Sequence, residues 1–287
     1  MNPRLPAPEC SRGFTLVELI IVIVLTGIVA VMASNMIGQQ MQGYVDMSRR
    51  AALVTKADIA LQHIARDLSN AAPYSIRING GTALEWVPVI DWGRYRKLPD
   101  TDQSAVLDFS KPDDLFEVLV ASTMPSVPAN ARILIGNTDA MGVDGINVYG
   151  DTSTGTLVPA GSNVITPTTV AVAASGNDIT LSPAFQFSLA SVASRFYVVS
   201  SAASYICSGG AIHRYSDYQI QKSQPVSEAG SPLSGAVSAL LLDGVSACQF
   251  DYSALDAERG QVVIRLQLQD GGESITATRI INIENRP

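Results

Sequence analysis

Histidine is scarce in this chain of 287 residues: there are two, His63 and His213, beside three cysteines. Neither histidine stands at metal-ligand spacing from a cysteine or carboxylate, which removes the usual zinc sets. No Gly-x-Ser-x-Gly elbow, phosphate-cradling glycine loop or His-Glu-x-x-His helix occurs. The chain therefore advertises no catalytic constellation, cofactor or metal site, and it reads as a non-enzyme. Basic residues number 19 against 26 acidic ones, a net charge of −7, and the globular part has no dense Lys/Arg cluster. A nucleic-acid partner is not expected from such a balance. No internal repeat is visible. Proline is missing between Phe14 and Pro73, so nothing in that interval forbids one continuous helix.

What the sequence does have is a long apolar run. Phe14 to Ala33 is twenty residues with one charge, Glu18. As a helix that run rises roughly 30 Å, the thickness of a bilayer's hydrocarbon core. A lone central charge in a spanning segment costs roughly 2.5–3.5 kcal/mol, less near the interface. Glu18 is only four residues past Phe14, so snorkelling relieves part of that cost. Arg4 and Arg12 precede the run and keep that end on the cytoplasmic side.

The residues around that acid form a motif. Gly13-Phe14-Thr15-Leu16-Val17-Glu18-Leu19-Ile20, directly before an apolar run, resembles the class III signal of type IV pilins and type II secretion pseudopilins. The resemblance implies that a prepilin peptidase cuts after Gly13 and N-methylates Phe14. It also implies that Glu18 acts in filament assembly, its carboxylate pairing with the Phe14 amine of a neighbouring subunit. A buried unpaired charge is strongly penalised, so the acid becomes tolerable only in a correctly docked subunit.

These expectations divide the chain. Residues 1–13 are a leader to be removed. Residues 14–35 are the transmembrane or filament-core half of a helix, and 36–72 its amphipathic half. In that second half Leu53, Ala57, Leu61, Ile64 and Leu68 recur at steps of three and four and define one face. The helix would measure roughly 85 Å, with Gly27, Gly38 and Gly43 as its soft points, and would end around Ser69-Asn70 before Pro73. Residues 73–287 form a β-rich periplasmic or extracellular domain. Candidate strands are Ala83–Ile90, Phe116–Ser122, Ala131–Ile135, Ile179–Leu181 and Phe196–Ser200, with loops at Pro99–Ser104 and Asn137–Thr168. The clearest β signal lies at the carboxyl end. Cys248, Phe250 and Tyr252, then Val262, Ile264, Leu266 and Leu268, alternate with polar or outward positions. Asp270-Gly271-Gly272 turns into Ser274–Ile283, an antiparallel meander whose apolar face packs on the amphipathic helix. The fold class is thus α+β, a long pilin-like helix on an antiparallel sheet domain.

Cys10 lies in the leader. Cys207 and Cys248 remain, an even number in an exported domain. A disulfide between them closes roughly 42 residues and adds about 4 kcal/mol on the chain-entropy account; two buried free thiols are the alternative. His63 reads as a helix-surface or interface residue. Asn137, Asp139, Asp144 and Asp151 offer oxygens for a hard cation, but their spacing fits no EF-hand, and solvated turns are the better reading. Asp100-Thr101-Asp102 and Asp113-Asp114 read the same way. Trp86, Trp92, Tyr95 and Tyr44 belong to core or subunit contacts.

Within the pilin superfamily, Ile212-His-Arg-Tyr-Ser-Asp-Tyr and Ala247-Cys-Gln-Phe-Asp-Tyr before a closing hairpin are similar to minor pilins of the MshO type, from MSHA pili. The layout also resembles PilW-type minor pilins and GspJ-type pseudopilins. The implied function is to prime assembly of, or cap, a surface filament used in adhesion or motility. Its implied partners are the prepilin peptidase, other major and minor pilins through the N-terminal helix, an inner-membrane assembly platform and the membrane itself. A pseudopilin of a secretion piston and a membrane-anchored binding or adhesin domain using Asn137–Thr168 are the alternatives.

Overall fold

A computed structural model of the chain describes residues 13–99, 105–119, 124–138, 147–150, 164–254 and 259–285. They fall into two compact units, divided between Ala51 and Ala52.

The first unit is helical. The single helix α1 (Leu16–Ser69) begins within it. Leu16–Ser34 is nineteen residues with a mean hydropathy of 2.8, long and apolar enough to cross a membrane, and none of it is buried against the rest of the chain. Its one interior hydroxyl is satisfied locally: Thr26 Oγ1 donates to the carbonyl of Val22 at 2.7 Å. That i−4 bond removes the penalty a free hydroxyl carries in hydrocarbon. Further on, Arg49 pairs with Asp46 at 3.6 Å, one helical turn apart.

The second unit holds the rest of α1 from Ala52 and four antiparallel sheets. Five strands, β1 (Arg77–Asn79), β2 (Ala83–Trp86), β9 (Ala202–Ser208), β10 (Ala211–Tyr218) and β11 (Val237–Asp243), pair in that order. A meander follows, β12 (Val245–Ala254), β13 (Arg259–Asp270) and β14 (Glu273–Glu284), closed between its last two strands by Gly271 and Gly272. Both glycines sit at positive φ, 55° and 92°, a conformation that side-chain-bearing residues adopt at a cost. Two smaller sheets have the orders β3 (Asp91–Arg94), β8 (Arg195–Val199), β5 (Arg132–Leu134) and β4 (Asp113–Glu117), β7 (Asp178–Phe185), β6 (Ala171–Ser175).

Three hydrophobic cores hold these layers. In the first, Leu53, Ala57, Leu61, Ile64 and Leu68 of α1 pack with Phe250, Val262, Ile264, Leu266 and Leu268 of the meander and with Trp86 and Tyr205 of the five-stranded sheet. The helical stripe and the alternating strands bury each other as their periods require. The second core gathers Leu134, Val148, Tyr149, Val164 and Ile165 with Tyr215 and Tyr218. The third surrounds Phe116, Phe187 and Phe196.

The α+β architecture and the closing meander agree with the sequence reading; several details differ. The helix ends at Ser69, where the polar run Ser69-Asn70 is expected to stop it, and the next residues pair with the chain beyond β2. Ala72 N–H donates to Val87 O at 2.8 Å, and Val89 N–H to Asn70 O at 2.9 Å. The strand expected at Phe116–Ser122 starts earlier, at Asp113, and is described to Glu117; residues 120–122 lie outside the described residues. Asp113 starts the strand by accepting from the Asp108 and Asp114 amides at 2.8 and 2.9 Å, so this acidic pair opens a strand rather than lying in a turn. Most of Asn137–Thr168 lies outside the described residues. Of those described, Thr138 and Thr168 are exposed, whereas Asn137, Asn147, Val148, Tyr149, Val164, Ile165 and Thr166 are buried and belong to the core. Residues 164–166 run beside β5, with Ile135 N–H donating to Val164 O and Thr166 N–H to Ile133 O. Asp139, Asp144, Asp151 and the Asp100-Thr101-Asp102 group lie outside the described residues.

Candidate functional site: the amino-terminal segment

Gly13 and Phe14 precede the helix, and Phe14 is exposed. Thr15 caps α1. Its Oγ1 accepts from the Glu18 N–H at 3.3 Å, and its carbonyl accepts from the Leu19 N–H at 3.2 Å. Thr-x-x-Glu is the spacing of a capping box, so the threonine and glutamate of the motif share a structural task that its reading as a processing signal passes over. The first turn of a helix carries partial positive charge from its free N–H groups, and a carboxylate there is favoured by roughly 0.3–1 kcal/mol. Glu18 is the acid of that turn. It is exposed, and among the described residues its carboxylate has no cationic partner. An unpaired acid on an apolar helix is equipped to receive a cation from outside the chain.

The other residues singled out by sequence lie in the second unit. Cys207 Sγ on β9 and Cys248 Sγ on β12 are bonded, 2.08 Å apart, and tie the five-stranded sheet to the meander. His63 is exposed on α1. His213 Nδ1 lies 3.2 Å from Glu228 Oε1. Trp86 and Tyr95 are core residues, whereas Tyr44 and Trp92 are exposed. Among the described residues no group of three metal-ligating side chains converges.

A buried ionic network was not foreseen. Arg77 Nε donates to Glu85 Oε2 at 2.5 Å, and both side chains are buried. The Arg77 guanidinium also donates to the carbonyls of Lys222 and Gln221 at 2.6 and 2.8 Å, and lies over the Tyr149 ring at 3.6 Å. Tyr218 donates to Glu85 Oε1 at 3.0 Å and bonds Ser204. Burial pushes the Glu85 carboxyl above its ordinary value, against the opposing pull of Arg77 and Tyr218. Desolvation likewise raises the Tyr149 and Tyr218 phenols. A second network joins α1 to β9 and β10: Asp67 Oδ2 accepts from Tyr205 at 2.6 Å and from Arg214 at 2.7 Å, and Trp86 stacks on Tyr205 at 5.0 Å. The first network braces the five-stranded sheet from within, and the second ties that sheet to α1.

The family model of the prokaryotic N-terminal methylation motif matches residues 10–34, which takes in Gly13, Phe14, Thr15, Glu18 and the apolar run. That motif is the cleavage and methylation signal of pilins, and with the exposed apolar helix it supports a type IV pilin-like or pseudopilin-type protein anchored in a membrane. No curated protein and no solved structure matches the chain.

Proposed function

We propose that this chain is a minor pilin subunit that primes assembly of, or caps, a type IV pilus of the MSHA kind used in surface adhesion or motility. The observation behind the reading is the methylation motif running into an exposed apolar helix that carries one unpaired carboxylate. Prepilin peptidase cuts after Gly13 and methylates Phe14. The chain first stands as a single-pass inner-membrane protein with residues 73–287 on the periplasmic side. Its apolar helix then leaves lipid for the core of the filament, guided by the assembly platform, and packs among the helices of major and minor pilins. There Glu18 meets the Phe14 amine of a neighbour. In low dielectric that pair is worth far more than in water, and a misregistered subunit leaves the acid unpaired.

Terminal mass spectrometry on protein from sheared filaments tests this. The expected mature chain begins at N-methyl-Phe14 and is present in the fibre. A terminus elsewhere overturns the reading. A correct terminus confined to membranes, never found in fibres, points to a secretion-piston subunit instead.

A further inference from the structure

A cleft of about 670 Å³ opens where β5, β6 and β10 approach one another. Its lining includes Arg132, Thr169, Ser200, Ser201, Asp217 and Gln219. Volumes of this order suit small ligands rather than solvent alone.

Arg132 is its anomaly. The residue is 3% exposed. Its Nε donates to Thr166 O at 2.6 Å, while Nη2 is buried and has no acceptor among the described residues. Three other arginines of the domain are matched, Arg77 with Glu85, Arg96 with Glu117 at 2.6 Å and Arg214 with Asp67; half-buried Arg195 shares an unpartnered Nε but does not line the cleft. A buried guanidinium without a counter-ion is an expensive arrangement, and removing such a charge often stabilises a fold. Burial lowers the Arg132 pKa to about 10, as expected of a cation with no anion beside it. Asp217 adds a second irregularity, with a φ of 62° in the left-handed region, the sort of backbone strain that binding sites retain.

We propose that this cleft binds a carboxylate-bearing sugar, whose carboxylate supplies the anion that Arg132 lacks. A planar guanidinium matches a carboxylate in two parallel hydrogen bonds. The serine and threonine hydroxyls, the Gln219 amide and the Asp217 carboxylate are suited to sugar hydroxyls, donating and accepting in turn. A doubly charged phosphate fits poorly, because Arg132 is the one basic side chain among the residues lining the cleft and Asp217, elsewhere in that lining, disfavours a second negative charge. The proposal goes beyond the filament reading and does not depend on it, since binding is measured on unassembled chain.

Calorimetric titration of the full-length protein in detergent tests it, with glucuronate, galacturonate and N-acetylneuraminate as ligands and glucose and acetate as controls. At least one acidic sugar is expected to bind roughly tenfold or more tightly than either control, the discrimination a charge-assisted pair provides. Arg132→Met is expected to fold with an unchanged or raised Tm and to lose at least about tenfold in acidic-sugar affinity. Asp217→Asn, which tolerates the same backbone conformation, and Gln219→Ala keep the test open should Arg132→Met fail to fold; each is expected to weaken sugar binding and leave acetate unaffected. No binding by any of the three acidic sugars at about 10 mM, a very weak affinity, overturns the proposal. So does equal binding of glucose or acetate, or full affinity in all three variants.

Discussion

Arg77 and Glu85 face each other across the short hairpin of β1 and β2, eight residues apart in sequence and paired in register. Nothing in that spacing distinguishes them from surface charges; only the tertiary fold, which brings Tyr149, Ser204 and Tyr218 around them, makes them interior. Removing one partner leaves the other buried and uncompensated. Arg77→Met is therefore expected to cost about 3–5 kcal/mol in urea unfolding. The pH dependence has a definite sign. Folding raises the Glu85 pKa above its unfolded value of 4.5, so the folded state holds that proton more readily. The stabilisation linked to this proton is complete below pH 4.5 and is lost as pH rises through the folded value. Glu85→Gln should flatten that part of the stability profile, measured as urea midpoint against pH. At the amino end, Glu18 stood out in the sequence because it broke an apolar run. Thr15 did not, although the Thr-x-x-Glu spacing already held the signal.

At the scale of elements, legibility followed periodicity. The meander β12–β14 and the buried stripe of α1 were readable because each repeats its period long enough to define a face. Ile64 is fully buried within that stripe, whereas Ile59 is exposed on the same helix. Ile64→Ala should cost about 2–5 kcal/mol and Ile59→Ala less than about 0.5, compared by urea midpoint. Shorter runs were legible in part: β2, β5, β7 and β8 overlap expected strands, whereas β1, β3, β6 and β9–β11 do not. β4 begins at Asp113, whose carboxylate holds the preceding Asp108 amide, and a polar-looking interval conceals Val148, Tyr149, Val164 and Ile165, four core residues dispersed among Asn, Gly and Thr. The strands of the five-stranded sheet come from residues 77–86 and 202–243, an association that no local pattern encodes. The Cys207–Cys248 bond then joins this sheet to the meander. Reduction should lower the stability of the unfolding transition by about 4 kcal/mol on the chain-entropy account. Intact mass with and without reductant should differ by two hydrogens.

For the molecule as a whole, the exposed side chains from Phe14 to Met36 set its requirements. Phe14, Leu16, Val17 and the isoleucines and valines beyond them are at least half open or close to it, far more contiguous apolar surface than a free soluble chain retains. Lipid or neighbouring helices must cover it. Glu18→Leu makes the helix more apolar and should leave membrane insertion intact while reducing recovery of the subunit in sheared fibres. Equal recovery of mutant and wild type would remove the acid from the assembly step. The Thr15 cap carries a consequence for maturation. On the proposed route the scissile bond lies two residues upstream of the hydroxyl that closes the first turn, so trimming leaves the helix start intact. A protease straying past Thr15 would strip that hydroxyl away, and the first amides of a greasy rod would enter the bilayer with nothing to hold.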